Sequence, residues 1–189
     1  MDIRELTLSE IRNTYKDHIK HDFHADEIKP LIVIERSIKA GKYRCLGAFE
    51  DGRMLGYAFF TFNQRDCLLD YFGVLKELRG QGIGTGFLTQ LGSSVLKDFC
   101  DSLVIEVENP RFATTPEEEL ILQKRISFYH GCGVIDTGVE ARVFGVEYLI
   151  LEYPLNTPHS TSETAKIYDS IYRSNLPPMI YRANIKIRT

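Results

Sequence analysis

The plainest chemistry in this 189-residue chain lies in six consecutive residues, Arg79-Gly80-Gln81-Gly82-Ile83-Gly84, set between an apolar run from Leu68 to Val74 and a second from Phe87 to Phe99. Glycine lets the backbone turn tightly and approach a ligand with no Cβ in the way, so successive N–H groups can converge on one anionic group. A helix that follows adds its unpaired first-turn N–H groups and the positive end of its dipole, and Thr85 adds a hydroxyl. A Walker loop needs Lys and then Ser or Thr after its last glycine. Here Thr85 and Gly86 stand in those places, which argues against ATP or GTP. A dinucleotide fingerprint fails too, because neither Gly80-x-Gly82 nor Gly82-x-Gly84 has a glycine three positions on.

Acidic residues form the second group. Glu106 and Glu108 share one face of an expected strand whose other face carries Leu103, Ile105 and Val107, and Asp70 falls on the neighbouring strand in phase with Leu68 and Phe72. A carboxylate inside an apolar central strand is costly unless hydrated or paired, so at least one of these should face a cleft. The alternative is that all three only bind backbone N–H groups or an arginine such as Arg111 or Arg125. His18, His21 and His24 are spaced i, i+3, i+6, which brings two onto one helix face and swings the third away. With no cysteine pattern beside them, no metal is expected.

These groups must be positioned by one domain's worth of elements. The length allows one full core and a small appendage. A net charge of -3 and a pI near 6.0 give no general attraction to nucleic acid or acidic membranes. Cys45, Cys67, Cys100 and Cys132 show no C-x-x-C pair and read as buried thiols in a reducing compartment. Met1 to Leu6 lacks the basic and apolar regions of a signal peptide and no apolar run reaches the length of a membrane span, so a cytoplasmic location is expected.

The pattern predicts a strand at Ile3 to Leu6, a helix over Glu10 to Lys20 capped by Ser9, and a second helix with Pro30 in its first turn, stopped at Gly41. Tyr43 to Glu50 and Met54 to Phe62 flank the hairpin signal Asp51-Gly52. Cys67 to Val74, a helix to about Phe99 and Leu103 to Glu108 make a β-α-β unit. A helix from Pro116 stops at Gly131 and Gly133, and strands near Val134 to Phe144 and Val146 to Tyr153 follow. Beyond Pro154 a polar linker leads to a helix over Glu163 to Arg173, Pro177-Pro178 breaks it, and Met179 to Ile187 alternates like a strand.

Arg79-x-x-Gly82-x-Gly84 after a strand ending in valine resembles the coenzyme A loop of the GNAT acyltransferase superfamily, and the element order over roughly residues 1–155 is that superfamily's order. Phe128-Tyr129-His130-Gly131-Cys132-Gly133-Val134 is similar to its Tyr, three residues, Gly, apolar signature. The resemblance implies an α/β (α+β) GNAT fold, with a central mixed sheet of about six to seven strands and about four helices; the C-terminal helix-strand extension over residues 156–189 is not predicted by the family pattern. The resemblance also implies acetyl-CoA as co-substrate, held by backbone groups of Val74 and Leu75 and by Arg79, Gly80, Gln81, Gly82, Ile83, Gly84 and Thr85, with Asn109 nearby and no metal. Tyr129 matches the family tyrosine aimed at the sulfur and is the expected general acid, whereas His130 reads as a solvated helix-end residue. Glu106 is favoured as base, ahead of Asp70. Phe23, His24 and Glu27 would border the acceptor pocket, with Glu27 or Asp26 holding a cationic amine. The implied activity is acetyl transfer through a ternary complex to a primary amine on a small molecule, peptide or protein. The competing reading is an acyl-CoA-binding sensor or scaffold without turnover. The tail could cover a sheet edge, pair with a second copy as a homodimer or line the acceptor site.

Overall fold

Eight strands form one mixed sheet in a computed structural model that describes residues 1–24 and 27–189. β1 (Asp2–Glu5) leads into α1 (Leu8–Thr14), which runs on through wider turns to Asp22. Thr7 takes the capping role expected of Ser9, because Glu10 stands three residues on and returns the bond in a reciprocal box. α2 (Leu31–Lys39) starts just after Pro30, which caps it from outside. β2 (Tyr43–Glu50), β3 (Arg53–Asn63) and β4 (Asp66–Val74) form the antiparallel meander, with Asp51 and Gly52 turning the first hairpin at φ 49° and 79°. α3 (Ile83–Gln90), continued by irregular turns to Asp98, returns the chain to β5 (Ser102–Glu108), which is parallel to β4. α4 (Pro116–Gly131), capped by Thr115, precedes the hairpin of β6 (Ile135–Val143) and β7 (Val146–Tyr153).

The tail departs from the sequence reading. α5 (Thr161–Asn175) is capped by Ser160, and the proline pair that ends it also starts α6 (Pro178–Asn184), since proline's fixed φ suits a first helical position. Only β8 (Ile185–Arg188) is extended, and it pairs with β6, so the sheet order is β1-β2-β3-β4-β5-β7-β6-β8. The strand expected from Met179 is thus helical to Asn184. Among the described residues the sheet has eight strands and there are six helices; the tail supplies two helices and a short strand where one helix and one strand were expected.

One extra residue opens the sheet. Tyr71 pairs with Phe59 and Leu69 with Phe60, which leaves Asp70 as a bulge in β4. The parallel ladder from β4 to β5 stops at Leu69 opposite Ile105, so the two strands diverge over the following residues. The bulge keeps Asp70 on the face of Leu68 but moves Phe72 to the opposite face, correcting the expected phase. On Phe72's face, α3 and α4 pack Phe87, Leu91 and Tyr129 against Leu69 and Ile105. On the other face lie α1 and α2, with Ile11 and Ile34 against Tyr43 and Phe59, and α5, with Tyr168 and Ile171 against Leu68 and Val104.

Cys67 and Cys100 are joined in a disulfide, which corrects the reading of four separate thiols. They lie 33 residues apart in sequence, but the β4-α3-β5 crossover brings the start of β4 beside the end of the α3 segment, with a Cα separation of 6.3 Å. Cys45 and Cys132 are free and buried. Among the described residues no helix is long and apolar enough to cross a membrane.

Candidate active site

A cavity of about 910 Å³ passes through the opening between β4 and β5 and is lined from both faces of the sheet. At one end is the glycine cradle. Gly80 and Gly82 adopt φ of 77° and 79°, left-handed values that a side chain would strain, and a Cβ at either would meet nothing within 4 Å. Gly82 caps α3, whose first intrahelical bond runs from the Gly86 N–H to the Gly82 carbonyl at 3.0 Å. The N–H groups of Ile83, Gly84 and Thr85 are therefore spare to the helix, and Gly84 and Thr85 line the cavity. Gly84 is small for a packing reason, since a Cβ there would stand 3.3 Å from Val74 and 3.4 Å from Phe128. These features fit a phosphate-bearing group: bare backbone donors, a dipole end, no obstructing side chain.

Arg79 shapes this turn from inside the chain. Its Nε donates to the Val74 carbonyl at 3.0 Å and its terminal nitrogen pairs with Asp22 at 2.7 Å. The Gln81 side chain donates to the Glu77 carbonyl at 3.3 Å, and neither it nor Ile83 lines the cavity. The Leu75 N–H is committed to the Leu55 carbonyl at 3.0 Å on β3. Alternation along an antiparallel strand then turns the Val74 N–H the other way, into the gap beside β5.

Tyr129 projects from the last turn of α4 into the same cavity with 7% of its surface exposed, and its hydroxyl has no hydrogen-bond partner among the described residues. Burial pushes its pKa up to about 12, with Arg125 pulling back, so the phenol is protonated at neutral pH and free to donate. His130, next to it, is exposed and lies 3.2 Å from Asp136.

Beyond Tyr129, on the opposite face of the sheet, lie two carboxylates. Asp70 pairs with the Lys29 ammonium at 2.6 Å and accepts the Tyr43 hydroxyl. Half-buried Glu106 accepts hydroxyls from Tyr168 and from Tyr172, the latter at 2.6 Å, both carried by α5. Burial pushes the Glu106 carboxyl above its ordinary range and the two phenols pull it back. Tyr168, Tyr172, Lys29 and Tyr43 had not been singled out from the sequence. The only signal was the four-residue spacing of the two tyrosines, which sets both hydroxyls on one helix face.

Glu108 and Asn109 are not brought to this cavity. Both line a second one of about 370 Å³ with Phe112, Glu118 and Arg142. Asn109 Oδ1 accepts the Arg111 N–H at 3.1 Å and so caps the short turn Pro110–Phe112, while its buried Nδ2 has no partner among the described residues. Burial and the neighbouring Glu27 carboxyl push Glu108 up to about 7. Phe23 and Glu27 line the large cavity, whereas His24 does not; Asp26 lies outside the described residues. Among the described residues no three His, Cys, Asp or Glu side chains are grouped to hold a metal.

The chain matches the model of the acetyltransferase (GNAT) family over residues 4–115. A GNAT-family structure from Bacteroides thetaiotaomicron superposes with a TM-score of 0.69 at 15% identity, covering 93% of this chain and 98% of that one. The ribosomal-protein-S18-alanine N-acetyltransferase of Escherichia coli gives 0.57 at 18%, covering 84% and 96%. A Salmonella typhimurium structure with its cofactor acetyl-CoA also gives 0.57 at 18%, covering 85% and 96%. Among curated protein sequences no match is found.

Proposed function

Because the chain belongs to the GNAT acetyltransferase family, we propose that it transfers an acetyl group from acetyl-CoA to a primary amine. The observation that carries this reading is the single cavity that joins the glycine cradle on one face of the sheet to Tyr129 and then to Glu106 on the other. A binding module without turnover needs the cradle but neither a free buried phenol nor a carboxylate beyond it.

The N–H groups at the start of α3 and the hydroxyl of Thr85 would hold the pyrophosphate, and the Val74 N–H, turned into the gap, would take the acyl carbonyl oxygen as charge develops on it. Acetyl-CoA supplies an activated thioester when bound. Glu106 would remove the proton from the incoming amine, and Tyr129 would give its proton to the departing sulfur, so the new C–N bond and the broken C–S bond each have their proton accounted for. Asp70 suits the base role less well, because it is already committed to Lys29 and Tyr43. In this reading residues 1–155 form the transferase unit and residues 156–189 an extension that packs on it and supplies Tyr168 and Tyr172.

The test is direct. Acetyl-CoA should raise the melting temperature where ATP and NAD do not, by the equivalent of about 2.7 kcal/mol at a hundredfold excess over its dissociation constant. An amine library assayed for thiol release should then yield a turned-over acceptor. A melting shift with ATP alone, or a CoA shift with no amine turned over, would defeat the assignment.

A further inference from the structure

The acceptor half of the cavity lies between α2 and α5; its charged groups include the Lys29–Asp70 pair and Glu106, and much of the remaining wall is apolar. Ile34, Leu68, Ile171 and Leu176 line its interior, and Val33 and Phe144, 43% and 50% exposed, line its mouth. Charge along the whole cavity is nearly balanced. Asp22, Glu27, Asp70 and Glu106 face Lys29, Arg79 and Arg125, four acids against three bases, for a net of -1. Asp22 is held by Arg79 at 2.7 Å and Asp70 by Lys29 at 2.6 Å. Glu27, which also lines the cavity, sits against Glu108 and accepts the His24 N–H at 3.1 Å. Glu106 has hydroxyl partners and no cationic one among the described residues. One positive charge can therefore be matched at the reacting end, and a second or third ammonium would be desolvated against Ile34, Leu68 or Ile171.

Phe144 adds an independent observation. It occupies the β6–β7 turn at φ 48°, a left-handed value at which a bulky side chain is an outlier and where Asn or Gly would be unstrained. Its N–H donates to the Asn184 carbonyl at 3.0 Å, so the end of α6 fixes this turn while the ring lines the cavity. A strained aromatic held at a cavity mouth points to a contact that the turn itself does not need.

Resting on the transferase reading above, we propose that the acceptor is a small monoamine carried on an apolar alkyl or aryl body, its nitrogen at Glu106 and its body between α2, α5 and the ring of Phe144. Polyamines, aminoglycosides and lysine-rich peptides are disfavoured by the same balance of charge.

Calorimetry on the full chain, saturated with CoA, would compare 2-phenylethylamine with spermidine as probes. The expected result is at least tenfold tighter binding of 2-phenylethylamine. Phe144→Gly and Phe144→Asn, both of which relieve the left-handed strain, should each weaken it about tenfold without lowering the melting temperature, and Glu106→Gln should weaken it further. Tighter binding of spermidine, no binding of either amine, or unchanged binding in both Phe144 variants would overturn the proposal. Thiol release separates it from the broader reading. Spermidine acetylated in place of 2-phenylethylamine would defeat the acceptor class and leave the transferase standing. If 2-phenylethylamine binds through Phe144 and Glu106 but no amine releases thiol from acetyl-CoA, the site assignment survives and the transferase reading fails.

Discussion

Removing the two phenols that hold Glu106 tests whether this carboxylate titrates in the reaction. Tyr168→Phe and Tyr172→Phe keep both rings, which pack edge to face with centroids 5.1 Å apart, and delete only the hydroxyls. Burial already pushes the Glu106 carboxyl upward, and each hydroxyl opposes that by donating to the charged form. A hydrogen bond to a charged group contributes about 1.5–3 kcal/mol, so losing one should lower the ionised fraction on the order of tenfold or more at pH values below the midpoint. The sign is fixed: the charged form loses its donors, so the acidic limb of the kcat/KM profile moves to higher pH in each single variant and further in the double variant. Rates at high pH, where Glu106 is ionised in any case, should converge on those of the unmodified protein. The assay is thiol release from acetyl-CoA across pH with the amine found by screening, at saturating acetyl-CoA, with melting temperature followed in parallel. A purely structural role for the tyrosines would lower the melting temperature and leave the limb in place. An unmoved acidic limb in the double variant would remove Glu106 as the titrating base.

Three further outcomes are expected. Tyr129→Phe should leave the acetyl-CoA melting shift intact and lower kcat about a hundredfold or more, the usual scale for a positioned proton donor; unchanged turnover would show that the sulfur leaves without this phenol. Gly82→Val places a branched side chain at φ 79° over the spare N–H groups of α3, so the melting shift with CoA should vanish at a strain cost of about 1–2 kcal/mol. An undiminished shift would put the phosphate site elsewhere. Glu108, pushed up to about 7 by burial and Glu27, stabilises the fold most fully below its ordinary carboxylate range and loses that contribution as pH rises through 7. Glu108→Gln should therefore melt above the unmodified protein at pH 8, with the gap closing by pH 5; a gap that does not vary with pH would dissociate Glu108 from this titration.

Local geometry in the candidate site was legible where one stretch of chain supplies everything needed. The cradle is of this kind: Gly80, Gly82 and the first turn of α3 are contiguous, and their geometry follows from the residue types alone. Tyr129 is similar, since the end of α4 is marked by Gly131 and Gly133. The tail was harder because nine residues from Met179 satisfy both periodicities loosely, and the prolines that end one helix also begin another. Asn109 lies away from the large cavity for a local reason, since its side chain caps the turn that follows it and spends its oxygen there.

The half of the cavity beyond the sheet resisted a reading from sequence because it depends on register, and register turns on single residues. Asp70 and Phe72 have the spacing of one strand face, yet one bulge sends Asp70 to Lys29 and Tyr43 and Phe72 to the opposite core. A slip of one residue exchanges the faces of everything beyond it. The same bulge ends the β4–β5 ladder at Leu69, so the element that hides Asp70 from a periodicity argument is also the one that lets a cavity pass through the sheet. The partners of Glu106 lie 62 and 66 residues away on a helix outside the expected 1–155 unit, where their tyrosines read as ordinary core. A half-buried carboxylate facing the cavity from β5 followed from cost alone; what satisfies it had to come from another segment, and only the folded chain brings α5 over the gap.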